Sequence, residues 1–216
     1  MTASADAPQP TAIDTAAHWD RIYTTKQPTS VSWYEQEPTR SLELILATGL
    51  PRDAPVLDVG GGLSNLAARL VALGFSDVSV ADISRAALER ARAQADAAGE
   101  RITWIEADVR RHDFPRPYDL WHDRAVFHFM VNDQDRDAYL ATLHHSLRPG
   151  GHLILATFGP DGPEQCSGLP TARYDARALA AALGSDYLPH AATLEVHETP
   201  SGAAQQFLYA HFQRRV

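Results

Sequence analysis

Cysteine is nearly missing from this chain: among 216 residues only Cys166 carries a thiol. An intrachain disulfide is therefore impossible, and the cytoplasm is the simplest compartment. No apolar run approaches the ~20 residues that cross a bilayer, so no membrane partner is expected. Positive charge is sparse and unclustered. Arg110-Arg111 and Arg214-Arg215 are only pairs, set against a net charge of −8 and a pI of about 5.6. Proteins that grip phosphate backbones present a basic face, so nucleic acid is not an expected partner. Residues 1–17 hold neither the basic cluster nor the apolar core of a secretory signal. Rich in Ala, Pro and Thr, they read as a loose tail.

What is present is an ordinary globular composition, 44% hydrophobic and 21% charged, in a chain long enough for one full core. The expected organisation is the tail at 1–17 and a single domain at 18–216, with 18–50 forming an N-terminal helical cap. Residues 18–23 look like a short amphipathic helix, and 41–48 another, with Leu42, Ile45 and Leu46 on one face. Then a regular alternation begins. Short apolar runs at 56–59, 78–83, 102–107, within 118–129 and at 152–158 read as strands. Helical patterns at 64–73, from Ser84 to near Gly99, and at 133–147 separate them. Ser84 is a fitting N-cap, and Pro149-Gly150-Gly151 is a stop. Strands alternating with helices imply a doubly wound α/β domain, a mostly parallel sheet with helices on both faces. After a helix at 175–183, two strand-like stretches at about 190–198 and 204–213 flank the turn Thr199-Pro200-Ser201-Gly202. That hairpin makes the C-terminal strand antiparallel to the rest.

The chemistry concentrates at strand ends. Val56-Leu57-Asp58-Val59-Gly60-Gly61-Gly62 places a glycine turn after the first strand, where backbone can approach a ligand closely. The dinucleotide pattern would need a glycine at 65, and Asn65 stands there. Asp58, inside the strand, suits an amine-bearing ligand better than a pyrophosphate. It can accept hydrogen bonds from an amino-acid ammonium such as that of S-adenosylmethionine. Asp82 lies 20 residues beyond Gly62, at the end of the second strand, where an acid chelates ribose hydroxyls. Asp108 ends the third strand, within reach of an adenine amine. Each acid alone could equally be a helix or turn cap. Three in order, at successive strand ends, line one crevice.

These segments resemble the class I S-adenosylmethionine-dependent methyltransferases over about residues 55–158. The carriers are VLDVGGG, VADIS, IEADV, YDLWHDRAVFHF and LRPGGHLILATF. The resemblance implies a seven-stranded sheet and S-adenosylmethionine as cofactor, with S-adenosylhomocysteine as product. Asp58, Gly60, Gly61 and Gly62 would surround the methionine moiety. Asp82 would hold the ribose, Ile83 pack on the adenine, and Asp108 with Val109 bind its rim. Many relatives carry a further glycine where Ser64 stands.

At the exit of the fourth strand, Asp123-Arg124-Ala125 resembles the thiol and thiopurine methyltransferases and related tellurite-resistance enzymes. Asp123 and His128 are the candidate general bases, since an imidazole suits proton removal near neutral pH. His128 could equally be a buried histidine with a satisfied hydrogen bond. Trp33, with Tyr34, either closes over the cofactor or pins the N-terminal segment. No metal site is expected: His144 and His145 are adjacent on a helix and point apart. The expected activity is methyl transfer to a small-molecule nucleophile, a thiol being favoured. A protein lysine methyltransferase, a nicotinamide-dependent oxidoreductase and a non-catalytic S-adenosylmethionine-binding module are the alternatives. Oligomeric state is not legible.

Overall fold

A computed structural model describes residues 15–216. The part of the expected tail at 1–14 lies outside the described residues. Residues 15–17 do not belong to a tail: helix α1 spans Thr15–Thr25. It is followed by α2 (Thr39–Ala47), β1 (Val56–Val59), α3 (Leu66–Ala72), β2 (Val78–Asp82), α4 (Arg85–Gln94) and β3 (Ile102–Glu106). The chain continues through β4 (Tyr118–Arg124), α5 (Asp133–Ser146) and β5 (Leu147–Phe158). A two-residue pair, β6 (Gln165–Cys166) and β7 (Leu169–Pro170), precedes α6 (Ala176–Leu183), β8 (Tyr187–Glu198) and β9 (Ala204–Arg214).

Seven strands form one sheet in the order β3-β2-β1-β4-β5-β9-β8. β1 to β5 pair parallel, whereas β9 runs antiparallel to both β5 and β8. The central strands β1, β2, β4 and β5 are buried on both faces, so they read as nearly continuous apolar runs, whereas the edge strand β8 is largely exposed. Successive side chains point to opposite faces. Val56, Leu120 and Ile154 pack with Leu42, Ile45, Leu66 and Leu70 of α2 and α3. Leu57, Trp121, Leu153 and Leu155 pack on the other face with Tyr139, Leu143 and Leu179 of α5 and α6.

Local chemistry explains most element ends. The Ser84 hydroxyl accepts from the Ala87 N–H at 3.1 Å, and Asp175 accepts from the Ala178 N–H at 2.7 Å. Two boundaries differ from expectation. Helix α4 stops at Gln94 rather than near Gly99. Asp96, at φ 47°, breaks the helical path and opens a tight 3₁₀ turn over Asp96–Arg101. β5 begins at Leu147, so Pro149-Gly150-Gly151 lies within the strand. Its register shifts opposite Tyr118 and Leu120, and Gly150 takes φ 78°, a conformation open to glycine.

The N-terminal segment is tied to the sheet by polar contacts. Asp20 Oδ1 accepts from the Ser84 hydroxyl at 2.6 Å and from the Ala86 N–H at 3.1 Å, so it caps α4 from outside. Arg90 donates to the Tyr23 carbonyl. Asp20→Ala should lose about 1 kcal/mol of capping. It should raise hydrogen exchange across 15–25 while leaving the amides of β1 and β4 unchanged. Unaltered exchange in 15–25 would show that the aromatic contacts alone hold α1.

Candidate functional site

Ligands of open α/β sheets bind at the carboxyl ends of the strands, where the strand order reverses. Here β1 is followed in sequence by β2 on one side, and β4 lies on the other. A cavity opens at that point. Its floor is Val59, Gly60, Ala81, Asp82, Ile83, Asp108 and Val109, from the ends of β1, β2 and β3. Its far wall is Ala125, Val126, Phe129 and Met130 beyond β4, with Cys166, Leu169 and Pro170 of the β6–β7 pair. Trp19 and Tyr23 of α1, with Trp33, cover it.

The cover is an aromatic cluster. Trp19 meets Trp33 and Phe129 edge-on at 5.7 and 5.4 Å between ring centres, and Tyr23 meets Trp33 at 6.2 Å. Trp33 lines the cavity and, through its contacts with Trp19 and Tyr23, also pins the segment. Tyr34 lies outside this cavity, on the rim of a neighbouring one. The roles of Trp19 and Tyr23 escaped the sequence reading. Their i,i+4 spacing, which sets both on one helix face, was the available signal.

The three strand-end acids have different surroundings. Asp58 is buried, and its Oδ1 accepts from His122 Nδ1 at 2.7 Å while Oδ2 has no partner. It borders a smaller cavity with Gly60, Gly61, Ser64, Trp33 and Arg124; Gly60, Trp33 and Arg124 belong to both cavities. A Cβ on Gly61 would sit 2.7 Å from Asp58 Oδ2, and one on Gly60 would overlap Val126. Gly60 and Gly62, at φ 63° and 46°, also need the freedom of glycine.

Asp82 accepts from the Ser84 N–H at 2.8 Å and from the Gly62 N–H. Burial, partly offset by those two bonds, pushes its pKa up to about 7. Asp108 lines the cavity, but both its oxygens accept from the Arg110 guanidinium, at 2.9 and 2.7 Å, and Arg110 also reaches Asp135 at 2.8 Å. Burial raises the Asp108 carboxyl, yet the bonds and charge of Arg110 outweigh it and hold the pKa below the usual value. The cavity corner beyond β3 is therefore an Arg110–Asp108–Asp135 network, of which only Asp108 was expected.

The two candidate bases are placed away from the cavity wall. Asp123 is wholly buried and accepts from the N–H groups of Val126 and Phe127 and from the Tyr139 hydroxyl at 2.6 Å. It faces the α5 side of the sheet, because it is one residue out of phase with His122. Its carboxylate holds the turn in which Ala125 adopts φ 72°. Burial pushes its pKa up to about 6. His128 is also wholly buried, stacked against Phe158, with Nδ1 accepting from the Phe158 N–H at 3.3 Å. Burial, and then the nearby Arg124 charge, lower its pKa to about 3. His128 is thus weakly basic and enclosed, whereas Asp123, whose pKa is raised, is enclosed and engaged by three hydrogen-bond donors; neither lines the cavity.

Arg124, between them in sequence, is the residue that reaches the cavity. It donates to the Tyr209 hydroxyl and the Trp33 carbonyl, both at 2.9 Å, and pairs with Glu35 at 3.0 Å. Among the described residues no cluster of three or more His, Cys, Asp or Glu side chains could hold a metal ion. No helix among them is long and apolar enough to cross a membrane.

Residues 56–151 match the model of a methyltransferase-domain family. The ubiquinone/menaquinone biosynthesis C-methyltransferase UbiE of Pectobacterium carotovorum is 30% identical over 120 residues, 53% of this chain and 46% of that protein. EEF1A lysine methyltransferase 2 of Danio rerio is 25% identical over 68% of this chain and 70% of that protein. The chain spans about half the length of the UbiE proteins it matches. A structure from the study of disulfide-to-thioacetal conversion in echinomycin biosynthesis superimposes with a TM-score of 0.75 at 20% identity, covering 93% and 91% of the two chains. The N-methyltransferase NodS of Bradyrhizobium japonicum, bound to S-adenosylhomocysteine, gives 0.70 at 17%, covering 93% and 99%.

Asp82 supplies a test of the site that reads stability as well as binding. Its folded pKa of about 7 lies above the ordinary 3.8, so the folded state binds the proton more tightly than the unfolded chain. The contribution of Asp82 to stability is then fullest below pH 4 and declines as pH rises to about 7. Asp82→Asn should stabilise the ligand-free protein by about 2 kcal/mol more at pH 8 than at pH 5. Urea melts at the two pH values measure this. A pH-independent effect would contradict a perturbed Asp82.

Proposed function

We infer that this chain, which carries a class I S-adenosylmethionine-dependent methyltransferase domain, methylates a small, flat, largely apolar nucleophile, with a thiol or related chalcogen as the favoured acceptor atom. Bound S-adenosylmethionine supplies an electrophilic methyl on a sulfonium. The residues present fit such a group. Asp58 offers an unpartnered, buried carboxylate oxygen to an ammonium, Asp82 a ribose-facing acid, and Ile83 and Val109 apolar contact for an adenine. Asp58, Gly60, Gly61, Gly62, Asp82, Ile83, Asp108, Val109 and Trp33 are the proposed cofactor residues.

The acceptor reading rests on one observation: among the described residues, the wall beyond β4 carries no usable base. Val126, Phe129, Met130, Leu169 and Pro170 of that wall, and Trp19 and Trp33 of the cover, are apolar or aromatic, and Cys166 is the one thiol among them. Burial pushes the Cys166 thiol up, so it stays protonated and inert. Arg124 is engaged by three partners. What this wall does is orient a flat acceptor and exclude water, and positioning alone is worth ~7–11 kcal/mol. A thiol, ionising in solution at a pKa of ~8.5, needs no more than that. The Asp123-Arg124-Ala125 resemblance points the same way. A hydroxyl acceptor would need a base that this wall does not offer.

Incubating the protein with S-adenosylmethionine and panels of aromatic thiols, amines, phenols and carboxylates, and measuring S-adenosylhomocysteine, tests the reading. Turnover confined to phenols or to protein lysine would reject it. His128→Gln should retain turnover within about tenfold across pH, whereas loss of a working general base costs ~10²–10⁴-fold.

A further inference from the structure

His122 was assigned no role by the sequence reading, yet it sits at the centre of a buried hydrogen-bonded chain. β1 and β4 pair in register with Asp58 opposite His122, so both side chains leave the same face of the sheet. His122 Nδ1 lies 2.7 Å from Asp58 Oδ1, and Nε2 lies 2.8 Å from the hydroxyl of Ser41 on α2. All three residues are at most 3% exposed. The carboxylate needs a donor, so Nδ1 carries a proton toward Asp58. In a neutral ring Nε2 then accepts from Ser41. Asp58 Oδ2, buried and unpartnered, borders the smaller cavity beside Gly60, Gly61 and Ser64.

We propose that His122 is a positioning residue for the cofactor's amino-acid arm: held by Ser41, it clamps one oxygen of Asp58 and so presents the other to an ammonium. This rests on the reading of S-adenosylmethionine as methyl donor. A carboxylate left to rotate in a buried site would bond to whatever donor it met. With Oδ1 occupied by an imidazole fixed at its far nitrogen, Oδ2 has one direction available. The nearby Gly61 permits it, since a Cβ there would press on Oδ2 at 2.7 Å. Ser41 belongs to the N-terminal cap, so the clamp also makes cap docking a condition for presenting Asp58.

The clamp acts on the amino-acid arm alone, and this separates it from a general packing role. Calorimetry should compare S-adenosylhomocysteine with 5′-methylthioadenosine, which lacks that arm. His122→Leu should weaken S-adenosylhomocysteine by about tenfold or more, the scale of a lost charge-assisted hydrogen bond. It should change 5′-methylthioadenosine by less than about threefold. His122→Asn, whose amide can replace the Nδ1 donor, should restore most of the loss. Ser41→Ala should shift the ratio of the two affinities in the same direction by a smaller amount, and it carries the test where the leucine variant does not fold. Equal weakening of both ligands, or an unchanged ratio in Ser41→Ala, would overturn the clamp. Failure of the unmodified protein to bind either ligand would overturn the cofactor reading beneath it.

Discussion

In-register pairing of β1 with β4 is the constraint on which the site depends. It sets Asp58 beside His122 and Val59 beside Asp123. Because side chains alternate across a sheet, two adjacent residues of β4 then serve opposite faces. His122 turns toward α2 and α3 and meets the strand-end acid. Asp123 turns toward α5 and is consumed by backbone N–H groups and Tyr139. A slip of one residue would exchange these roles and bury the wrong partners. The two apolar layers, one on each face, make such a slip costly.

The N-terminal segment turns an open crevice into an enclosed one. Its polar anchors are spread along its length, and three of them bear on the site. Asp20 caps α4, Arg124 binds the Trp33 carbonyl and Glu35, and Ser41 reaches His122. Between them Trp19, Tyr23 and Trp33 form the roof. Stability and function pull apart beneath it. Asp82 is held in a position where burial penalises its charge, and the fold tolerates this because the Ser84 and Gly62 N–H groups offset part of the cost. A ligand hydroxyl would supply further donors to the same carboxylate.

The alternation of strands and helices, the antiparallel C-terminal hairpin and the line of strand-end acids were all legible, because they rest on local periodicity and on short-range spacing. Glycine turns, the Ser84 cap and the Asp58–Asp82–Asp108 series follow from which residue types stand within a few positions of one another. Trp33 was legible as a choice between two roles, and the fold shows that packing and lining are the same contact. Asp123 and His128 were legible only as residue types suited to proton transfer, with a buried structural role as the alternative for His128. Their enclosure draws on the nearby Val126 and Phe127 N–H groups and also on Tyr139 and Phe158, 16 and 30 residues away, which no local pattern marks.

The residues that complete the site lie further apart still. Arg124 meets Trp33 and Tyr209, at separations of 91 and 85 residues, and His122 meets Ser41 across 81. No local pattern marks such pairs. From the order of its residues alone, the chain determines an α/β sheet with an acid-lined crevice, since helices, strands and turns obey interactions between near neighbours. Which acids remain free, which are capped, and which aromatic rings cover the crevice was decided only when distant segments packed together, because burial and hydrogen-bond pairing are properties of the assembled fold.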